Sequence, residues 1–309
     1  MQTHYNTEGA RDALDAVIDA SKSALAENKD RAIQHLSSVD VDHLSVQVTG
    51  ERNRIWRLGP SNEQGEVEEE FTFHMQGIVS RLMLIPGDVE RLEIHKGINT
   101  SQGIVLVGHG SSKFTQSLER LKDLHGLFVR YFPSNNVARW NDNAEDAQPT
   151  LRASNRFFTS VEDDPSAEGI AFGKGVDPLN KLAKFLSDTL VHAEANVVKY
   201  YKQVKADGQT TFDVTFPSTF RVGDIVEIHA SVIAFKTQGR QGAIKMHCNL
   251  HGVTLLDNSF SKATEEARRA ASIVISVPKN KLRRKNPYAK DEEAGAKKSR
   301  QVDEAENVG

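Results

Sequence analysis

The clearest binding chemistry in the sequence is an aromatic ring, several cations and an imidazole, all gathered around one predicted β-hairpin. Within residues 222–236 the even positions from Val226 to Ala234 are apolar, while Glu227, His229 and Ser231 face the other way, which is the period-two pattern of a half-buried strand. After the turn at 237–242, the same alternation resumes and continues to Leu250. The hairpin therefore brings together five candidate binding residues: Phe235, Lys236, Arg240, Lys245 and His247.

This mixture of side chains is suited to single-stranded nucleic acid. Aromatic and imidazole rings stack on bases, and cations neutralise backbone phosphates. We expect Phe235 and His247 to stack, and the three cations at 236, 240 and 245 to contact phosphates. The alternative is an ordinary structural hairpin whose polar face only meets solvent; Glu227, a carboxylate on that face, favours it.

The hairpin also resembles a known class of domain. VGDIVEIHASVIAF, a glycine turn and AIKMHCNLHGVTLL are similar to the first strands of OB-fold domains in single-stranded DNA-binding proteins of the replication-protein type. The resemblance covers about 45 residues and implies a small barrel with single-stranded nucleic acid as its ligand.

A wider resemblance covers residues 175–257. The GVDP-led helix, an H-A-E segment, the strand FRVGDIVE and the ending TLLD resemble a group of uncharacterised proteins from mushroom-forming fungi. This resemblance implies a shared fold and lineage, and it implies no activity.

The C-terminal tail carries a different signal. Two basic clusters, KNKLRRK and KKSR, flank a spacer that contains three acidic residues. Such clusters are read by nuclear import receptors, and a polar spacer keeps them accessible in a disordered segment. We therefore expect a nuclear protein, with a cytoplasmic location as the alternative. The expected targeting residues are Lys281, Arg283, Arg284, Lys285, Lys297, Lys298 and Arg300.

Charge is unevenly distributed over the 309 residues, although the formal net charge is only -3. The segment from Lys279 to Arg300 holds nine basic and three acidic residues, which leaves 30 basic and 39 acidic residues elsewhere. A body this acidic is not a general phosphate-binding surface, so nucleic-acid binding must be local to the hairpin and the tail. The acidic body also supports an alternative function as a protein-interaction scaffold.

Few other chemistries fit the sequence. Cys248 is the only cysteine, which excludes an intramolecular disulfide and favours an intracellular location. No apolar run is long enough to span a membrane, and we expect no cofactor and no bound metal.

A second alternative is an enzyme or metal-binding protein centred on GHGSS at 108–112, with His109, Ser111 and Ser112 as its polar groups. In that segment a strand, a glycine turn and a helix would place backbone N–H groups at a helix N-terminus, where an anion can bind. The segment IVLVGHGSS locally resembles the start of sirohydrochlorin-type metal chelatases.

The elements that must position these residues predict an α+β fold. We expect an N-terminal helix over 7–28, a strand, turn and helix over 103–128, a long helix from Asp177 to about residue 202, and a short helix (264–272) followed by the strand SIVISV. The barrel itself is expected to be antiparallel, OB-like and C-terminal. The expected segments are a helical segment (1–40), a mixed α/β domain (41–140), a loop-rich linker (141–176), a long helix with the OB-like β domain (177–276) and a disordered basic tail (277–309).

Overall fold

The computed structural model describes most of the chain up to residue 275. Contacts divide the chain into one unit from Met1 to Glu266 and a second from Ala267 to Gly309. The candidate hairpin lies in the first unit, and the described part of the second is the C-terminal end of a helix. The described residues are 4–26, 33–49, 55–60, 69–84, 99–132, 137–140, 143–145, 148–206, 208–237 and 242–275, with side chains described at all of them except 143–145 and 272–275.

Within these ranges the chain forms three α-helices and thirteen strands. The helices are α1 (Thr7–Ala26), α2 (Ser112–Tyr131) and α3 (Ser259–Ile275). The strands are β1 (Ile33–His35), β2 (Leu44–Thr49), β3 (Ile55–Pro60), β4 (Thr72–Met83), β5 (Ser101–Val107), β6 (Asn143–Glu145), β7 (Gln148–Arg156), β8 (Thr159–Ser160), β9 (Leu190–Val191), β10 (Lys199–Ala206), β11 (Gln209–Val214), β12 (Ile225–Lys236) and β13 (Ile244–Asp257).

Five of these strands close into a small barrel, consistent with an OB-like architecture. The hydrogen-bonded order is β4-β5-β7-β13-β12, and β12 pairs again with β4 to complete the ring. Four of the five pairings are antiparallel, while β7 and β13 run parallel with Cys248 opposite Ala153. Closure removes the exposed edges that an open five-stranded sheet would present.

The sheet continues beyond the barrel in two places. A hairpin of β10 and β11 adds to β13, with Tyr201 opposite Thr254 in a parallel pairing. On the other side β3 adds to β12, and β2 adds to β3. The outer surface of the barrel is therefore continuous with one face of each added hairpin.

The barrel is filled by alternate side chains from each strand. From Val226 to Ala234 every even-numbered side chain of β12 is buried, and Met246, Cys248 and Leu250 of β13 are buried as well. This confirms the alternation read from the sequence. Helix α2 packs against the barrel through Phe114, and a Cβ added at Gly77 would lie 2.9 Å from the ring of Phe114, so only glycine permits this approach.

The long helix expected over 177–202 is wrong. That segment contains two 3-10 turns, the short strand β9 and the start of β10. Asp177 does cap backbone N–H groups, because its carboxylate accepts from Lys181 N at 2.7 Å and from Ala183 N at 2.9 Å. The capped unit is a turn, however, since Asn180 adopts φ 52°, a left-handed conformation that ends a helix.

The leucine spacing in the same segment also misleads. Leu182 and Leu190 are buried, but Leu179 is 70% exposed and Leu186 is 41% exposed. The leucines therefore do not form one buried stripe, and the three-to-four spacing does not reflect a helix. The N-terminal helix and the strand-turn-helix of β5 and α2, by contrast, are confirmed within the described residues.

The sequence suggested a barrel formed by the C-terminal segment alone. In the structure, earlier strands also belong to the barrel. Its hairpin of β12 and β13 supplies the fourth and fifth barrel strands in chain order, and β4, β5 and β7 supply the first three. Strand β7 lies inside the expected linker at 141–176. A two-stranded ribbon with one apolar face needs further strands to bury that face, and here they come from earlier in the chain.

The end of the described chain also differs from expectation. Helix α3 runs from Ser259 to Ile275, so the strand expected for SIVISV is wrong as far as residue 275. The basic tail at 277–309 lies outside the described residues. No helix in the described part is long and apolar enough to cross a membrane.

Candidate nucleic-acid interface

Three of the five hairpin candidates meet on the outer face of the barrel. Phe235 lies directly opposite Lys245 in the antiparallel pairing of β12 and β13. The ring of Phe235 stands edge-on to that of His247, with 6.3 Å between ring centroids. Lys236 is the next residue of β12 and so alternates to the other side of the sheet, where it is exposed. Arg240 lies outside the described residues.

His247 is held in one orientation by the neighbouring strand. Its Nε2 lies 2.8 Å from the backbone oxygen of Ser154 on β7. Because a carbonyl only accepts, Nε2 carries the proton and Nδ1 keeps a free lone pair in the neutral ring. Burial lowers the pKa of His247, and the nearby charges of Lys245, Arg152 and Arg156 lower it further. The ring is therefore neutral at pH 7.

Two arginines in this group are absent from the sequence prediction. Arg152 and Arg156 are exposed residues of β7, the third strand of the barrel. The segment QPTLRASNR falls within the linker expected from the sequence, because polar stretches flank it. Its own alternation is a usable signal, since Leu151 and Ala153 are buried while Arg152 is exposed.

We call Arg152, Arg156, Lys245 and His247 the cationic patch. Among the described residues, no carboxylate forms an ion pair with any of its three permanent cations. One guanidinium nitrogen of Arg152 lies 3.9 Å from the sulfur of Met83. An exposed cluster of positive charge makes the potential locally positive on an otherwise acidic body.

Glu227, the carboxylate that sequence analysis placed on the binding face, is engaged elsewhere. Its Oε2 accepts from Ser21 of α1 at 3.0 Å and from Gln76 at 2.5 Å, and its Oε1 accepts from His74 at 2.9 Å. Burial raises the pKa of Glu227, but the hydrogen bonds outweigh burial and the pKa is lowered overall. This carboxylate is therefore internal to a hydrogen-bonded network beneath α1.

A row of histidines runs beside this network on the outer face. The rings of His74 and His229 are 4.9 Å apart, and those of His229 and His251 are 5.7 Å apart. Burial lowers the pKa of His229 to about 4, and its Nε2 has no hydrogen-bond partner within the described structure. Within the same part of the chain, no three His, Cys, Asp or Glu residues are arranged to hold a metal ion.

Ser111 of the GHGSS turn has a structural role. Ser111 is the N-cap of α2, accepting from Phe114 N at 3.1 Å, and its hydroxyl also donates to Asp15 of α1. His109 takes φ 47° and its ring lies 5.8 Å from that of Tyr5. These contacts attach α1 to the start of α2, and in the described structure Ser111 has no hydrogen bond to His109.

The chain was compared with protein families, curated proteins and solved structures. No protein-family model matches the chain, and no curated protein matches it. Among solved structures, the chain is similar to the crystal structure of gp2.5, a single-stranded DNA-binding protein encoded by bacteriophage T7. The TM-score is 0.36 at 10% sequence identity, and the match covers 69% of this chain and 98% of that chain. No comparison bears on the fungal group.

Proposed function

We propose that this chain is a non-enzymatic protein that binds single-stranded nucleic acid on the outer face of β7, β12 and β13. The observation that carries the proposal is the cationic patch, in which Arg152, Arg156 and Lys245 surround His247 beside Phe235. Cations next to stacked rings are the combination that holds a phosphate backbone and its bases.

The barrel connectivity supports the same proposal. Numbered within the barrel, the strands follow the order 1-2-3-5-4-1, with strands 3 and 5 parallel. This order is consistent with an OB-like barrel, and in OB domains the ligand face includes strands 2 and 3. Arg152 and Arg156 lie on strand 3 of that order, and Lys245 and His247 lie beside them on strand 5.

Each member of the site has a distinct role. The three permanent cations neutralise phosphates, and Phe235 and His247 offer rings to bases. Base recognition by stacking tolerates any sequence, because every base has an aromatic face. We therefore expect affinity for single strands with little sequence preference and a steep dependence on salt.

The test removes the charges while keeping the side chains polar. We compare wild-type protein with the triple variant R152Q/R156Q/K245Q by fluorescence anisotropy on a labelled oligothymidylate of about 16 nucleotides. Each phosphate contact on a single strand adds about 0.7 to the slope of log affinity against log salt, so the variant should lose about 2 from that slope. Affinity at low salt should fall by about a thousandfold, at about tenfold for each of the three lost contacts.

The matched control removes three exposed cations from other elements. R130Q/K184Q/K262Q changes the net charge by the same amount on α2, a 3-10 turn and α3. The control should retain wild-type affinity and slope. Equal losses in both triple variants, or no binding of wild type at low salt, would overturn the proposal.

We also propose that the tail directs the protein to the nucleus. The support is the pair of basic clusters at 279–285 and 297–300. A fluorescent fusion of the full chain should accumulate in the nucleus, and replacing the seven targeting residues by glutamine should leave it in the cytoplasm. An unchanged distribution would refute this proposal without affecting the binding site on the barrel.

A further inference from the structure

The β10–β11 hairpin exposes an unusual amount of apolar surface. Every residue of β11 is exposed, and Phe212 and Val214 are 55% and 82% exposed. Phe216, just past the strand, is 42% exposed. Large exposed apolar side chains concentrated on one hairpin are typical of an interaction surface.

The two faces of this hairpin differ in charge. The register places Tyr201 opposite Val214 and Gln203 opposite Phe212, so these four side chains share one face. We call it the hairpin face. In the described residues of the two strands it carries no carboxylate. The cations of this face are Lys199 and Lys205, both exposed.

The opposite face of the hairpin differs in its charged groups. There Lys202 lies opposite Asp213, so the one carboxylate of the described strands is directly across from a lysine. Tyr200, also on this side, points into the barrel end and donates to Gln102 Oε1 at 2.6 Å. The exposed side chains of Phe212 and Val214 therefore lie on one face of the hairpin, and the carboxylate of Asp213 lies on the other.

A further cation and ring extend the hairpin face. Thr215 N donates to Tyr200 O at 2.9 Å, which continues the register and brings Phe216 opposite Lys199. Lys174 Nζ lies 5.6 Å from the centre of the Phe216 ring, within the range of a cation–π interaction. The hairpin face therefore carries both aromatic rings and nearby ammonium groups.

This face continues the outer surface of the barrel. Lys199 lies opposite Gly252 of β13, and Gly252 lies opposite His229 of β12. The cationic patch lies further back along β13, where His247 is seven residues before Thr254. At about 3.3 Å per residue, the patch and the hairpin face are separated by about 20 to 25 Å along the same surface.

We propose that the hairpin face is a second stacking surface for single-stranded nucleic acid, and that one strand crosses from the cationic patch along β13 to Phe212 and Phe216. This inference rests on the proposed function. Charge complementarity selects the occupant, because lysines without carboxylates favour a polyanion and exposed rings bind bases. A short oligonucleotide reaches only one of the two surfaces, and a longer one reaches both.

A length series separates the two surfaces. The full chain is titrated at fixed low salt with oligothymidylates of about 4 and about 16 nucleotides, the span of single OB sites. Wild type should bind the longer strand more tightly. F212A/F216A should lose about tenfold affinity for the longer strand and keep its affinity for the shorter one.

Two further variants control for structure and chemistry. Q209A/T211A alters exposed residues on the opposite face of the same hairpin and should behave as wild type. F212W retains an aromatic ring and should retain affinity for the longer strand. In addition, a 5-iodouracil oligonucleotide of about 16 bases should photocrosslink within 209–216 in wild type and not in F212A/F216A.

The two proposals fail in different ways. If wild type binds neither oligonucleotide, or R152Q/R156Q/K245Q binds both as well as wild type does, the proposed function fails. If that triple variant loses affinity while F212A/F216A binds the longer strand normally, only the hairpin inference fails. A dimer that becomes a monomer in F212A/F216A without any change in nucleic-acid affinity would make this face a self-association surface and also overturn the inference.

Discussion

Two regions of the same barrel surface treat charged side chains in opposite ways. Beneath α1, the carboxylate of Glu227 is enclosed and receives hydrogen bonds from Ser21, His74 and Gln76. In the cationic patch, exposed cations stand together with no ion-paired carboxylate among the described residues. Both regions lie on outward-facing positions of neighbouring strands.

The difference distinguishes a structural polar group from a functional one. A buried carboxylate that is fully hydrogen-bonded stabilises one arrangement of helix and sheet, since removing any partner leaves a buried polar atom unsatisfied. Clustered exposed cations repel one another, and their arrangement becomes favourable when a polyanion binds. We therefore expect changes beneath α1 to affect stability, and changes in the patch to affect binding.

The largest expected effect is on stability. Glu227→Ala removes the acceptor shared by three donors and should lower the free energy of unfolding by about 3 kcal/mol. Urea denaturation followed by circular dichroism measures this change. Glu119→Ala, at an exposed position of α2, is the matched control and should change stability by less than about 0.5 kcal/mol.

The comparison also requires that the Glu227 variant still binds nucleic acid when folded. Below the denaturation midpoint its affinity for an oligothymidylate should stay within about twofold of wild type, because Glu227 does not face the ligand. A variant that is as stable as wild type and binds the oligothymidylate much more tightly would place this carboxylate on the binding surface instead.

The next effect concerns pH. Burial lowers the pKa of His229 to about 4, with contributions from His74, His251 and Lys199 against the opposing charge of Glu227. The ring is therefore harder to protonate in the folded state than in the unfolded state, where its pKa is about 6.5. The unfolded state binds more protons between these values, so the stability present above pH 6.5 is lost as pH falls.

This loss can be assigned to one residue. It should reach about 2 kcal/mol for His229 alone at pH 5. The free energy of unfolding of His229→Gln is measured by urea denaturation at pH 7 and at pH 5. The difference between these two values should be smaller than in wild type by about 2 kcal/mol. An unchanged pH dependence would mean that His229 does not carry it.

The sequence predicts parts of this structure well and others poorly, for identifiable reasons. Alternation correctly gives β12 and β13, because those strands have one buried and one outward face along most of their length. The helix expected from Asp177 fails because the cap is real but Asn180 turns the chain away. Local propensity cannot show such a break, and the leucine spacing concealed it.

The candidate site divides in the same way. Phe235, Lys245 and His247 are neighbours through a hairpin register that follows from the sequence. Arg152 and Arg156 come from β7, about 90 residues earlier, and they meet His247 only because β7 and β13 pair in parallel. A contact of that kind depends on barrel closure, which no local pattern specifies.

The smallest of the three expected effects tests whether the position of carboxylates distinguishes the cationic patch from the region beneath α1. Lys245→Glu places a carboxylate in the cationic patch on an exposed side chain, so the barrel should keep its stability within about 0.5 kcal/mol. Affinity for an oligothymidylate at low salt should fall by about tenfold and the salt slope by about 0.7, since one phosphate contact is lost. Lys184→Glu makes the same reversal on an exposed 3-10 turn and should leave both values unchanged. If both reversals reduce affinity equally, binding follows overall charge, and the distinction between an enclosed carboxylate and an open cationic patch has no functional meaning.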